Sequence, residues 1–203
     1  MKRMLWMVLV ALALPMAAFA NNSVDFTNSG GMLNGTSAGM SISSSVLIAV
    51  KGLNGMGLVT GPDLGSVSFA TGKLLSGSLT KGGTFAAGGT FQIDGNGTNG
   101  IPNGVIFNGS FSGPVTWTMF TLANGSHNYT LSGAISGTWM GGSTVVNGVT
   151  VQLTINTGKG YFNGCANISS GDTNIVIPEP GSLALMGTGL VGLAGLLYSK
   201  LKT

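Results

Sequence analysis

Tyr129-Thr130-Leu131-Ser132-Gly133-Ala134-Ile135-Ser136-Gly137-Thr138-Trp139 alternates without a break. Tyr129, Leu131, Gly133, Ile135, Gly137 and Trp139 point one way; the small polar residues between them, with Ala134, point the other. A period of two with one apolar side predicts a half-buried antiparallel strand. The pattern recurs on both sides. Val115, Trp117 and Met119 alternate with Thr116 and Thr118, although Phe120 and Leu122 make the second face partly apolar. Val149, Val151, Leu153 and Ile155 alternate with Thr150, Gln152 and Thr154. Earlier candidate strands are Val24 to Thr27, Ser41 to Val50, Ser66 to Ala70, Leu74 to Leu79, Thr90 to Asp94 and Val105 to Phe111. β-branched and aromatic residues, which pleated surfaces favour, are concentrated in these runs.

The separators have turn chemistry. Asn-Gly pairs begin at Asn34, Asn54, Asn103, Asn108, Asn124, Asn147 and Asn163. Such pairs supply the positive φ values of tight hairpins. Asn124-Gly125 and Asn147-Gly148 then predict a meander of three strands from Val115 to Asn156. No helical periodicity of soluble length interrupts the strands, which argues against α/β folds. The expected fold is all-β, an antiparallel β-sandwich. The alternative is an irregular β-solenoid, suggested by recurrent Gly-Ser and Gly-Thr steps that keep no fixed period.

The two ends of the 203-residue chain read differently. Lys2 and Arg3 precede the apolar run Met4 to Leu14. Pro15 breaks the run, and Ala18-Phe19-Ala20 offers a small-x-small cleavage site before Asn21. Residues 1–20 therefore read as a secretory signal peptide, to be handled by Sec-type export machinery. At the other end, Pro178, Glu179 and Pro180 precede an uncharged apolar run from Ser182 to Ser199, and Lys200 and Lys202 follow. As a helix, residues 182–199 would extend roughly 27 Å, close to the ~30 Å hydrocarbon thickness of a bilayer. Lysines directly after such a span favour keeping that end cytoplasmic.

This tail resembles the PEP-CTERM sorting signal of exported proteins in Gram-negative, matrix-producing bacteria. The resemblance is carried by Pro178, Glu179, Pro180, the span about 182–199 and the basic tail Lys200 and Lys202; it covers only residues 177–203. It implies a membrane-embedded, exosortase-like processing enzyme as partner. It also implies transient anchoring in the inner membrane, followed by release to the cell surface or the extracellular space.

With both ends set aside, residues 21–176 form the expected β domain. The formal charge of +3 does not belong to it. Its lysines are Lys51, Lys73, Lys81 and Lys159, and they balance Asp25, Asp63, Asp94 and Asp172. No basic patch of the kind that binds nucleic acid is present. Cys165 is the single cysteine, so no internal disulfide can form. It is either a small buried residue or an exposed thiol able to pair between chains.

Candidate chemistry is sparse. Gly35-Thr36-Ser37-Ala38-Gly39 matches G-x-S-x-G, and Ser37, Asp94 and His127 keep a hydrolase chain order. The strand-to-helix elbow that the motif needs has no counterpart in the pattern. His127 reads as a solvated residue at the end of a turn. Asp94-Gly95-Asn96-Gly97-Thr98 places oxygens at alternate positions, as a calcium loop does, but Val105 stands where a bidentate Glu would close it. Asp63 and Asp94 are the carboxylates that a fold could bring together. Trp117, Tyr129 and Trp139 could stack on sugar rings, yet their place on the apolar faces reads as core. No cofactor motif and no cysteine–histidine metal cluster is found. These observations point to a non-enzymatic structural protein of the cell surface or extracellular matrix, with extracellular polysaccharide as a partner. The alternatives are a carbohydrate-binding module and a secreted hydrolase.

Overall fold

A computed structural model describes residues 22–140, 142 and 145–177. The signal-peptide residues with Ala18 and Ala20 lie outside the described residues. So do Pro178, Glu179, Pro180, the span 182–199, Lys200 and Lys202. Among the described residues no helix is long and apolar enough to cross a membrane.

Among the described residues fourteen strands follow one another with one short 3-10 turn at Leu53–Gly55. They are β1 (Asn22–Ser29), β2 (Met32–Thr36), β3 (Gly39–Lys51), β4 (Leu58–Thr60), β5 (Gly65–Ala70), β6 (Leu74–Ser78) and β7 (Gly82–Phe85). Then come β8 (Gly88–Asn96), β9 (Asn103–Phe111), β10 (Val115–Thr121), β11 (His127–Trp139), β12 (Val145–Asn156), β13 (Cys165–Asn167) and β14 (Ser170–Ile177). The alternating runs named above lie in strands, with Leu79 and Leu122 just past the ends of β6 and β10, and β10, β11 and β12 are neighbours in a meander.

The sandwich is corrected by the pairing, and so is the solenoid. The order β12, β14, β1, β3, β5, β8, β9, β11 returns to β12, which closes an eight-stranded antiparallel barrel. Two features close it. First, β11 is long enough to serve three partners. One edge pairs with β12 from Asn128 to Thr138; the other pairs with β10 up to Ser132 and with β9 from Ile135. Second, β14 fills the gap between the first and last barrel strands. It pairs with β12 through Thr150↔Asn174 to Thr154↔Ser170. On its other side it neighbours β1, where Thr27 Oγ1 donates to Asp172 Oδ1 at 2.9 Å. The solenoid fails because the chain does not wind through stacked repeats; it returns across the sheet with every strand antiparallel to its neighbours.

Two larger branches leave the barrel, and β4 adds a short pairing at the C-terminal end of β3. β10, β7 and β6 extend from the N-terminal half of β11, and β13 and β2 extend from the N-terminal half of β3. Asn147-Gly148 is not the turn expected of it. It lies inside β12, where Ile135↔Val149 is followed by Gly137↔Val146, so the pair forms an irregularity opposite Ser136.

An eight-stranded barrel leaves an interior just wide enough for side chains to fill, and aromatics fill this one. Phe69 stacks on Phe91 at 6.2 Å, and Phe111 meets both rings edge-on at 5.8 and 6.1 Å. Phe107 packs against Phe91, and Phe26 against Trp139. Burying each such side chain stabilises the fold by about 1.5–3 kcal/mol. One polar node interrupts this core. Asn28 Nδ2 donates to Ser45 Oγ at 2.7 Å, and Ser45 Oγ donates to the Gly30 carbonyl at 2.7 Å. Asn28 occupies the room above Gly171, where an added Cβ would meet its amide at 2.5–3.0 Å. Hydrogen bonding offsets the desolvation of these buried groups.

A second core joins the branches. Trp117 stacks on Tyr129 at 4.9 Å, and Phe162 packs edge-on against Trp117 at 5.3 Å. Trp117 Nε1 donates to the Leu79 carbonyl at 2.8 Å. The Tyr129 hydroxyl donates to the Thr80 carbonyl at 2.7 Å and accepts from the Phe162 amide at 3.1 Å. Both polar tips are thereby satisfied, as buried Trp and Tyr require.

Candidate functional site

The Ser37, Asp94 and His127 residues are not brought together. Ser37 lies in the tight turn between β2 and β3, with its carbonyl accepting the Leu74 amide at 2.9 Å. A strand-turn-strand hairpin replaces the nucleophile elbow. Along β8, the end nearest this hairpin is Thr90, through Ser41↔Ala70↔Thr90; Asp94 is reached through Val46↔Ser66↔Asp94. His127 is farther still. Asp94 pairs with Val105, Phe107 pairs with Trp139, and His127 stands at the opposite end of β11. Those twelve positions (139 minus 127) cover on the order of 40 Å of strand.

His127 is also not a solvated turn end. It has the inward parity of Tyr129 and is 7% exposed. Tyr161 stacks over its ring at 4.5 Å, and Nδ1 lies 3.1 Å from Thr121 Oγ1. Its backbone holds the following loop: the amide donates to the Gly158 carbonyl at 2.7 Å, and the carbonyl accepts the Thr157 amide at 3.0 Å. The imidazole is a packed structural group beneath a loop.

Asp63 and Asp94 do come to one surface. They line a shallow open depression of about 280 Å³ on the outer side of β3, β5 and β8, with Ser44, Val46, Ser66 and Asn96. Local partners already hold its polar groups. Gln92 Nε2 donates to both oxygens of Asp94 at 2.9 and 2.8 Å, and Asp63 Oδ1 accepts the Gly65 amide at 3.0 Å. Asn96 Oδ1 accepts from the Thr98 amide and hydroxyl, and Asn96 Nδ2 donates to the Asp63 carbonyl. The oxygens of the calcium-like run thus turn toward neighbouring donors instead of a common centre. Among the described residues no group of three or more His, Cys, Asp or Glu side chains could hold a metal ion.

Trp117 and Tyr129 are buried and Trp139 is half-buried, so the three aromatics singled out by pattern form core surface. Cys165 is exposed on β13. On the outer wall, Asp25 stands opposite Lys51. Partial burial, reinforced by the charge of Asp172, raises the Asp25 carboxyl above its ordinary range; Lys51 pulls the other way.

The outer surface of the barrel and of its β10 branch is the feature that motif reasoning missed. Outward positions on β10, β11, β12 and β14 carry Thr116, Thr118, Thr130, Ser132, Gln152 and Thr154, continued by Ser170. This polarity is the reverse of a membrane-spanning barrel, which turns an apolar band outward. Phe120 interrupts the polar wall at 55% exposure, with Leu122 at 40% beyond it. The signal was present in the sequence as the partly apolar second face of the Val115 strand. No protein-family model matches the chain, and no curated protein or solved structure is significantly similar to it.

Proposed function

We propose that this is an exported, non-enzymatic structural protein of the cell surface or extracellular matrix. In this reading a C-terminal signal of the PEP-CTERM type sorts it, and an exosortase-like enzyme processes the tail. The observation that carries the proposal is the wall of the barrel. Its described outward side chains are mostly uncharged hydroxyls and amides, set around an interior filled with aromatic rings. A filled barrel presents surface instead of enclosing a ligand, and a wall with few charges suits close contact with hydrated polymers. The scattered positions of Ser37, Asp94 and His127 support the non-enzymatic part.

The test replaces Pro178, Glu179 and Pro180 with alanine in a host that contains the processing enzyme. The variant should accumulate in the inner-membrane fraction, while the parent reaches the surface without residues 1–20. Identical fractionation and identical intact mass for the two proteins would remove the sorting role.

A further inference from the structure

Outward side chains on β10, β11 and β12 line up in rows across the strands. Phe120 stands opposite Asn128, and Asn128 opposite Asn156; in the next row Thr118, Thr130 and Thr154 are opposite one another. Strands lie about 4.8 Å apart, and same-face neighbours along a strand are about 6.8 Å apart. The six side chains therefore cover a patch about 10 Å by 7 Å, roughly the footprint of a disaccharide.

Three properties of the patch define its partner. None of the six side chains is ionised at neutral pH, so the patch offers an ionic polymer no opposite charge. Asn156 Nδ2 donates to Asn128 Oδ1, which fixes both amides and leaves the Asn128 NH2 group as a surface donor beside the threonine hydroxyls. Phe120, 55% exposed, supplies a flat apolar face at the end of the first row. A pyranose ring presents the matching surfaces: C–H groups on its faces and hydroxyls at its edge. We propose that this face of β10, β11 and β12 binds a neutral polysaccharide, with Phe120 stacking on a sugar ring and the Asn and Thr rows bonding its hydroxyls. The proposal rests on the matrix reading above and names the polymer and the surface for it.

The experiment measures binding of the exported protein to amorphous cellulose and to a soluble mixed-linkage β-glucan, with alginate as an anionic comparison. Phe120→Ala, Phe120→Trp and a Ser68→Lys control on β5 are compared, each checked for parental thermal unfolding. The parent and Ser68→Lys should bind a neutral glucan equally, Phe120→Ala should bind roughly tenfold more weakly, and Phe120→Trp should retain binding. If Phe120→Ala fails to fold, Thr130→Lys, which sets a long charged side chain in the middle of the second row, takes its place: it should weaken binding to the same degree, and parental binding by it would overturn the proposal. Binding to neither neutral glucan, binding to alginate alone, or equal binding by Phe120→Ala would overturn the proposal. Fractionation separates the two readings. Normal surface delivery without glucan binding removes this site alone, and glucan binding without surface delivery removes the matrix reading alone.

Discussion

Replacing Tyr129 by Phe removes one oxygen atom and tests how the second core holds the loops around it. The ring is fully buried and stacked on Trp117, so the substitution leaves packing in place. Its hydroxyl joins the Thr80 carbonyl at 2.7 Å to the Phe162 amide at 3.1 Å. Thr80 is exposed and its carbonyl can turn to water, which limits that loss. The Phe162 amide sits in a buried contact and Phe162 itself is 1% exposed, so its N–H is stranded. A buried group left without its partner costs about 1–3 kcal/mol, and the expected loss is about 2 kcal/mol. In a body of this size 1 kcal/mol corresponds to about 2–4 °C, so the midpoint should fall by about 4–8 °C. Calorimetry reads the midpoint, and hydrogen exchange at the Phe162 amide reads the loop. A midpoint within about 1 °C of the parent, with Phe162 protection unchanged, would refute the claim that this hydroxyl ties the loop to the core.

The raised Asp25 carboxyl makes a second, signed prediction. The folded state keeps this proton to higher pH than the unfolded chain, so stability falls as pH rises from the ordinary value of 3.8 through the raised one. Asp25→Asn should therefore be more stable than the parent at neutral pH and match it at acid pH; a lower midpoint at neutral pH would show that the attraction of Lys51 dominates. Gly133→Ala places a methyl 2.9 Å from the Phe111 ring and 3.2 Å from Val115, and overpacking of this kind costs about 1–3 kcal/mol. A parental unfolding midpoint for that variant would count against the packing of β11 on Phe111.

The strands were legible wherever apolar residues mark one face. Past its first residue, His127, β11 shows its inward positions as Tyr129, Leu131, Gly133, Ile135, Gly137 and Trp139, and its neighbours β10 and β12 are nearly as plain. β14 was illegible because its inward positions include Gly171 and Thr173, with Ile175 the first apolar side chain. Its inward glycine is matched by the polar Asn28 on another strand, a complementarity that no local window contains. Since β14 is the strand that joins β12 to β1, missing it leaves an open sheet, and an open sheet suggests a sandwich. Turn chemistry misled at Asn147-Gly148, where the pair serves an irregular step within β12, and at Asn34-Gly35 and Asn108-Gly109, which lie inside β2 and β9. Burial of His127 was equally hidden, since the covering group, Tyr161, arrives from 34 positions along the chain (161 minus 127). The depression of Asp63 and Asp94 depends on the pairing of β3, β5 and β8, whereas the exposed Phe120 could be read from the parity of β10 alone.

Closure through β14 is the claim on which the continuous outer wall depends, and amide hydrogen exchange tests it most directly. A strand paired on both edges protects successive amides; an edge strand protects every second one. From Gly171 to Asn174, the closed barrel predicts slow exchange at each amide, at rates comparable with those of β12. Fast exchange at alternate amides of this segment would show that β14 is an edge and that the barrel is open.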